Sequence, residues 1–212
     1  MEFKRFIDRL VDELSREKLP GHAEQVKMAP EARIMRSNKG KEASAAVLIL
    51  LFEKEGAPYL VLTRRKEYEG AHGGQISLPG GKTELRDGTL IETALRETEE
   101  EIGVNRQKIT IIGQLTDLYI PVSNFMVSPF IAYTMNIGNY KIDPSEVEYI
   151  IECNLYDLLS PDNIKRKKVQ VDLQRLTVPY FQIDNEEIWG ATAMILSEFA
   201  AICARFYPHR LS

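Results

Sequence analysis

Residues 80–104 read GGKTELRDGTLIETALRETEEEIGV, and the reading of this stretch decides the fold. Ile91, Leu95, Thr98 and Ile102 recur at steps of four, three and four, the period of one helix face. The spacing predicts a helix over residues 89–102, with Asp87 or Thr89 at its N-terminus and Gly103 as its C-terminal stop. At about 100° per residue, Glu97 and Glu101 lie about 40° apart, and Glu100 about 60° to their other side. All three are expected to point away from the apolar stripe, with Glu99 projecting elsewhere. Arg96 precedes Glu100 by one helical turn, close enough to pair with and orient a carboxylate.

Like charges crowded on one helix face repel unless a cation sits among them. Mg²⁺ or Mn²⁺ suits an all-oxygen cluster that also keeps waters and phosphate oxygens. Zinc fits less well, since no Cys or His stands at ligand spacing. An arbitrary run of acids is ordinarily a solvated helix face. Here the glycine turn LPGG (78–81), Arg96 and the terminal Gly103–Val104 favour the metal reading.

The stretch resembles the Nudix hydrolase box: glycine, five residues, glutamate, seven residues, then Arg-Glu-apolar-x-Glu-Glu-x-Gly-apolar. Gly81 starts it, and Arg96, Glu97, Thr98, Glu100, Glu101, Gly103 and Val104 complete it. Asp87 stands where the family usually has glutamate, and eight residues rather than seven precede Arg96. The role of Asp87 is left open. Upstream, LVLTRRKEYEGAHGGQISLPGG (60–81) is similar to the signature of the coenzyme A pyrophosphatase branch, with Leu62, Thr63, Arg65, His72, Gly74, Gln75, Pro79, Gly80 and Gly81 in register. Lys66, Gly70 and Leu78 depart from it; Gly70 replaces an arginine that could contact substrate phosphates. IPVSNFMVSPFIA (120–132) and VPYFQIDNEEIWGATAMIL (178–196) resemble the same branch.

The resemblance implies an α/β class fold, a Nudix-like α/β/α sandwich with a mixed β-sheet. It implies Mg²⁺ or Mn²⁺ held by Glu97, Glu100, Glu101 and the backbone carbonyl of Gly81. The implied reaction is metal-dependent hydrolysis of the diphosphate of coenzyme A or acyl-coenzyme A, giving adenosine 3′,5′-bisphosphate and 4′-phosphopantetheine. A Nudix pyrophosphatase for ADP-ribose, a dinucleotide or a nucleoside triphosphate is the alternative, with Gly70 its main support. A non-catalytic nucleotide sensor is disfavoured, because the box carboxylates are all present. The general base is a box glutamate or a later carboxylate, Glu146 first and Glu148 behind it; both also suit a solvated strand end. Arg64, Arg65 and Lys82 flank the glycine turn and could grip phosphates. At least one of them is expected to be a plain surface charge. His72 could assist catalysis or contact phosphate, although a hydrogen-bonded structural histidine is the simpler reading. KRKK (165–168) could meet a 3′-phosphate, but more often such a run guards a strand edge. Trp189 is expected in the core, and Ser123, Asn124 and Phe125 along the substrate pocket.

A chain of 212 residues with 44% hydrophobic content has ample core for one domain, read as an extension over 1–42 and a catalytic domain over 43–212. The net charge of −4 and pI near 5.6 argue against a nucleic-acid surface. No apolar run reaches the ~18–20 residues of a membrane span. No signal-peptide pattern is read at the N-terminus, so a cytoplasmic location is expected, with Cys153 and Cys203 reduced. A small nucleotide is the expected partner, and a second copy of the chain is allowed but not required.

Helices are predicted over 3–17 and 187–206, with an irregular linker between the first and Lys41. Strands are predicted at 44–52, 59–65, 108–115, 126–135 and 146–154, a helical turn at 155–160, and a closing hairpin from KRKKVQVDL and LTVPYFQID. The unbroken apolar run SAAVLILLF predicts a strand covered on both faces.

Overall fold

The computed structural model describes residues 2–16, 18–30, 42–67, 73–171 and 174–207. Its centre is β1 (Ala43–Lys54), which turns through Glu55 and Gly56 into β2 (Ala57–Arg65). Both turn residues have positive φ, 54° and 77°, the backbone a two-residue hairpin needs to follow the strand twist. The other edge of β1 pairs in parallel with β7 (Phe125–Tyr133), from Ala43 opposite Phe125 to Leu51 opposite Tyr133. Near its start β1 loses β2, which pairs with it only over Leu51–Lys54, and gains the short β4 (Gly80–Lys82) opposite Ala45–Val47. Strands β3 (Ile76–Ser77), β5 (Thr110–Gln114), β6 (Leu118–Ile120) and β8 (Val147–Asn154) complete a mixed eight-stranded sheet.

Alternate residues of β1 supply two cores. Ala46, Leu48, Leu50 and Phe52 pack with Ala94 and Ile102 of α3 (Leu90–Ile102) on one face. Ala45, Ile49 and Leu51 pack on the other with α1 (Glu2–Leu14) and α5 (Gly190–Cys203). Helices therefore cover both faces of a mixed sheet, as predicted. Phe3, Phe6, Ile7 and Leu10 of α1 are buried in the same core as α5 and as Leu155, Leu158 and Leu159 of α4 (Leu155–Leu159). Cys153 and Cys203 are buried free thiols, their ionisation opposed by that burial.

Three expectations are corrected. The predicted linker contains α2 (His22–Gln25), whose Gln25 is buried and donates to Glu198 of α5 at 2.8 Å and to the Thr116 carbonyl at 2.8 Å. Residues 31–41 of that linker lie outside the described residues. The C-terminal helix begins at Gly190, because residues 186–189 form β11 (Glu186–Trp189). That strand joins β9 (Ile164–Val171) and β10 (Gln174–Ile183) in a second, three-stranded sheet beside the first. Trp189 is consequently half-buried, its ring covered by the Lys167 ammonium 5.2 Å from the centroid, rather than a core aromatic. KRKK lies on β9, an edge strand of that sheet.

Candidate active site

Helix α3 starts where its sequence can satisfy the first free N–H groups. The Thr89 hydroxyl accepts from the Glu92 N–H at 3.2 Å, and the Glu92 carboxylate accepts from the Thr89 N–H at 3.0 Å, a reciprocal cap. Gly103, at φ 73°, closes the helix. The predicted helix span holds, but its faces need correction. Ile91 is exposed and Leu95 only half-buried, while Ala94, Thr98, Glu101 and Ile102 are buried. Glu101 turns inward instead of away, because the Gly80 N–H on β4 donates to its carboxylate at 3.0 Å. A polar partner placed by a distant strand thus outweighs the apolar period of the helix.

The last carbonyls of α3 bring in a residue from far along the chain. Lys141 N–H donates to the Ile102 carbonyl at 2.9 Å, and Asp143 N–H to the Glu101 carbonyl at 3.0 Å. Asp143 then fixes the turn by accepting from the Ser145 N–H and hydroxyl, and the Glu146 carbonyl accepts from Lys66 N–H at 2.9 Å. The result places carboxylate oxygens of Glu97, Glu101 and Glu146 all within 4.8 Å of one another. Glu146, first of the two later carboxylates the sequence offers, is in the cluster. Glu148 instead faces the Arg64 guanidinium at 3.9 Å.

Burial raises the affinity of this cluster for positive charge. The Glu101 carboxyl, 2% exposed, is pushed up to about 8 by desolvation and by Glu97 and Glu146, against the opposing pull of Gly80 N–H and Arg65. Glu97 is also raised, by burial first, with Arg96 opposing. Gly81 leaves the space that Glu97 uses: a Cβ there would stand 2.6 Å from the carboxyl carbon. An all-oxygen set of convergent carboxylates, two of them held in low dielectric, fits a hard divalent cation.

Arg96 is the buttress behind the cluster. Its Nε and Nη2 donate to the two oxygens of Asp87 at 2.8 Å each, and Nη1 donates to Glu97 at 2.8 Å and Glu100 at 2.9 Å. Asp87 therefore anchors Arg96 rather than capping the helix. Glu100 lies outside the close cluster, half exposed, with its second oxygen taken by Arg86 at 3.0 Å. Arg65 reaches the site, its Nη1 3.6 Å from Glu101. Arg64 turns to Glu148 and to Glu186 at 3.8 Å, away from the carboxylates. His72 and Gly70 lie outside the described residues.

A cavity of about 310 Å³ opens beside Arg65, Gly80, Gly81 and Lys82. Phe125, Ile120 and Val127 form an apolar wall, and Thr192 and Ile195 of α5 close it. Ser123 and Phe125 line this cavity, whereas Asn124, at φ 55°, accepts a hydrogen bond from the Tyr119 hydroxyl at 2.9 Å. The α5 side of the wall and the Arg86 contact were not identified from sequence. For the former the sequence offers only the expected helix over 187–206; nothing in the sequence marks the latter.

The convergent carboxylates stand on a glycine turn and a helix, in a fold with helices on both faces of a mixed sheet. The NUDIX domain model matches residues 42–175, and the chain belongs to the Nudix hydrolase family. It is 33% identical over 171 residues to the uncharacterized Nudix hydrolase NudL of Photorhabdus laumondii, covering 81% of this chain and 88% of that one. The Yersinia enterocolitica NudL is 34% identical over 161 residues, covering 74% and 79%. Among solved structures, a C. elegans Ap4A hydrolase binary complex aligns with TM-score 0.52 at 18% identity, covering 77% of this chain and 99% of that one. The M. smegmatis Nudix hydrolase RenU aligns with TM-score 0.52 at 16% identity, covering 79% and 89%. These two likenesses bear on the fold. No described helix is long and apolar enough to cross a membrane.

Proposed function

We propose that the chain hydrolyses the diphosphate of coenzyme A or acyl-coenzyme A, with Mg²⁺ or Mn²⁺ held by Glu97, Glu101 and Glu146 and by the Gly81 carbonyl. The observation that carries the reaction type is the convergence of those three carboxylates at the glycine turn. When bound, the cation shields phosphate charge and acidifies water. Arg65 and Lys82, which line the cavity, orient the diphosphate. Water adds to one phosphorus; the bridging P–O bond breaks, and the departing phosphate keeps its electron pair. In this reading Glu146, exposed in the cluster, takes the proton of that water; its exposure and its closeness to Glu97 and Glu101 support the role. The coenzyme A assignment is supported by the residue pattern over 60–81 and by the mostly apolar cavity wall, which suits an uncharged arm beside a diphosphate.

Gly70, in place of the branch arginine, favours a second reading with ADP-ribose or another nucleoside diphosphate as substrate. Incubation with coenzyme A plus Mg²⁺ or Mn²⁺, with products identified by mass, separates the two. Adenosine 3′,5′-bisphosphate and 4′-phosphopantetheine, lost in Glu101→Gln, are the expected products. Faster cleavage of ADP-ribose in side-by-side assays would replace the substrate and keep the chemistry.

A further inference from the structure

Glu100 is the box carboxylate that the fold holds apart from the others. Both of its oxygens are occupied: Oε2 accepts from Arg96 Nη1 at 2.9 Å and Oε1 from Arg86 Nη2 at 3.0 Å. The two arginines differ in freedom. The Arg96 side chain is 7% exposed and clasped by Asp87, so it cannot leave. The Arg86 side chain is 60% exposed and rests on Glu84 at 2.8 Å as well as on Glu100. Its backbone is fixed by a turn in which Glu84 N–H donates to Asp87 Oδ2 at 2.9 Å and Asp87 N–H to the Glu84 carbonyl at 3.0 Å. Arg86 can therefore release Glu100 by side-chain rotation alone, staying paired with Glu84.

We infer that Arg86 is a positioning residue that latches Glu100 out of the metal site, so that the site fills in two tiers. Glu97, Glu101 and Glu146 take a first divalent cation without rearrangement. Glu100 joins, and a further cation enters, only when the Arg86 contact opens. The inference rests on the metal-dependent reading above. Opening one half-exposed ion pair is a small cost, so the latch tunes occupancy with metal concentration instead of forbidding it.

The test is calorimetric titration of the full chain with Mn²⁺ alone, without substrate. Arg86→Ala is expected to tighten the weaker class of sites about two- to fivefold, or to bring it into range, while moving the tight class less. Arg86→Lys, which keeps one donor, is expected to fall between the two. Glu100→Gln should abolish the weaker class, and Arg86→Ala should then have no further effect on it. As a charge control, Arg106→Ala removes a cation paired with Glu99 at 3.5 Å on the same helix and should leave both classes unchanged. An Arg86→Ala titration identical to the unaltered chain would overturn the latch, as would an equal shift of both classes that persists in Glu100→Gln. Failure of the unaltered chain to bind Mn²⁺ would overturn the metal-dependent reading itself, and this inference with it.

Discussion

Arg96 and Asp87 meet through two parallel hydrogen bonds of 2.8 Å, with side chains only 7% and 3% exposed. The pair joins the loop before α3 to the helix face that bears the carboxylates. Without Asp87, Glu97 and Glu100 still balance the Arg96 charge, but its buried Nε loses its acceptor and Nη2 keeps only the Lys82 carbonyl. Asp87→Ala is expected to cost about 1–3 kcal/mol in urea unfolding. Glu100→Ala removes a half-exposed partner of the same arginine and should cost under about 1 kcal/mol. Equal costs would mean that the clasp is not what anchors Arg96.

Stability in the absence of divalent cations should depend on pH through Glu101. Its carboxyl sits near 4.5 in an unstructured chain and near 8 in the fold. Between those values the native state holds the proton more tightly than the unfolded state, so stability falls as pH rises and levels off above about 8. Glu101→Gln removes this slope. In thermal melts with chelator, the unaltered chain should lose ground to the variant from pH 5 to pH 8. Adding Mn²⁺ at pH 8 should raise the melting temperature of the unaltered chain far more than that of the variant. Parallel melting curves across that range would show that burial of Glu101 carries no such cost.

Much of this molecule was legible in advance, and the reasons are local. The α3 span followed from Thr89, Gly103 and the intervening period, and β1 from an apolar run whose alternate residues fill two cores. Two members of the carboxylate cluster follow from the one-turn spacing of Glu97 and Glu101, whereas Glu100, expected beside them, stands outside it. What sequence spacing could not supply was long-range hydrogen bonding. The inward turn of Glu101 depends on Gly80, 21 residues away, and the approach of Glu146 depends on a loop hung from the helix end. Trp189 differs from expectation for a similar reason: residues 187–189 read as the first turn of a helix until the pairing of Glu186–Trp189 with β10 is known.

The corrected helix faces change an expected stability. Leu95 is half-buried at the margin of the α3 core, whereas Ile102 is completely buried. Ile102→Ala should cost about 2–5 kcal/mol. Leu95→Ala should cost roughly half that, since only part of its side chain leaves water. Chemical denaturation of the two variants checks the order, and a larger loss at Leu95 would restore the apolar stripe as first read.

Gly81 and Gly80 adjoin in β4 but do different work. A Cβ on Gly80 would lie 2.3 Å from the Ala46 carbonyl oxygen, and its φ of 145° is one that side chains rarely adopt. Gly80→Ala should therefore destabilise the sheet by several kcal/mol, through a backbone clash that cannot relax. At Gly81 the obstacle is instead the Glu97 carboxyl, with both oxygens within 2.8 Å of a new Cβ. That side chain can move aside, so Gly81→Ala should melt within a few degrees of the unaltered chain. Glu97 would then be displaced from Glu101 and Glu146, by a distance of the kind that costs about 10²-fold in turnover. Mn²⁺ affinity should fall with it. If Gly81→Ala instead unfolds like Gly80→Ala, the glycine serves the strand. If it keeps full turnover and metal affinity, Glu97 does not need its seat against the backbone.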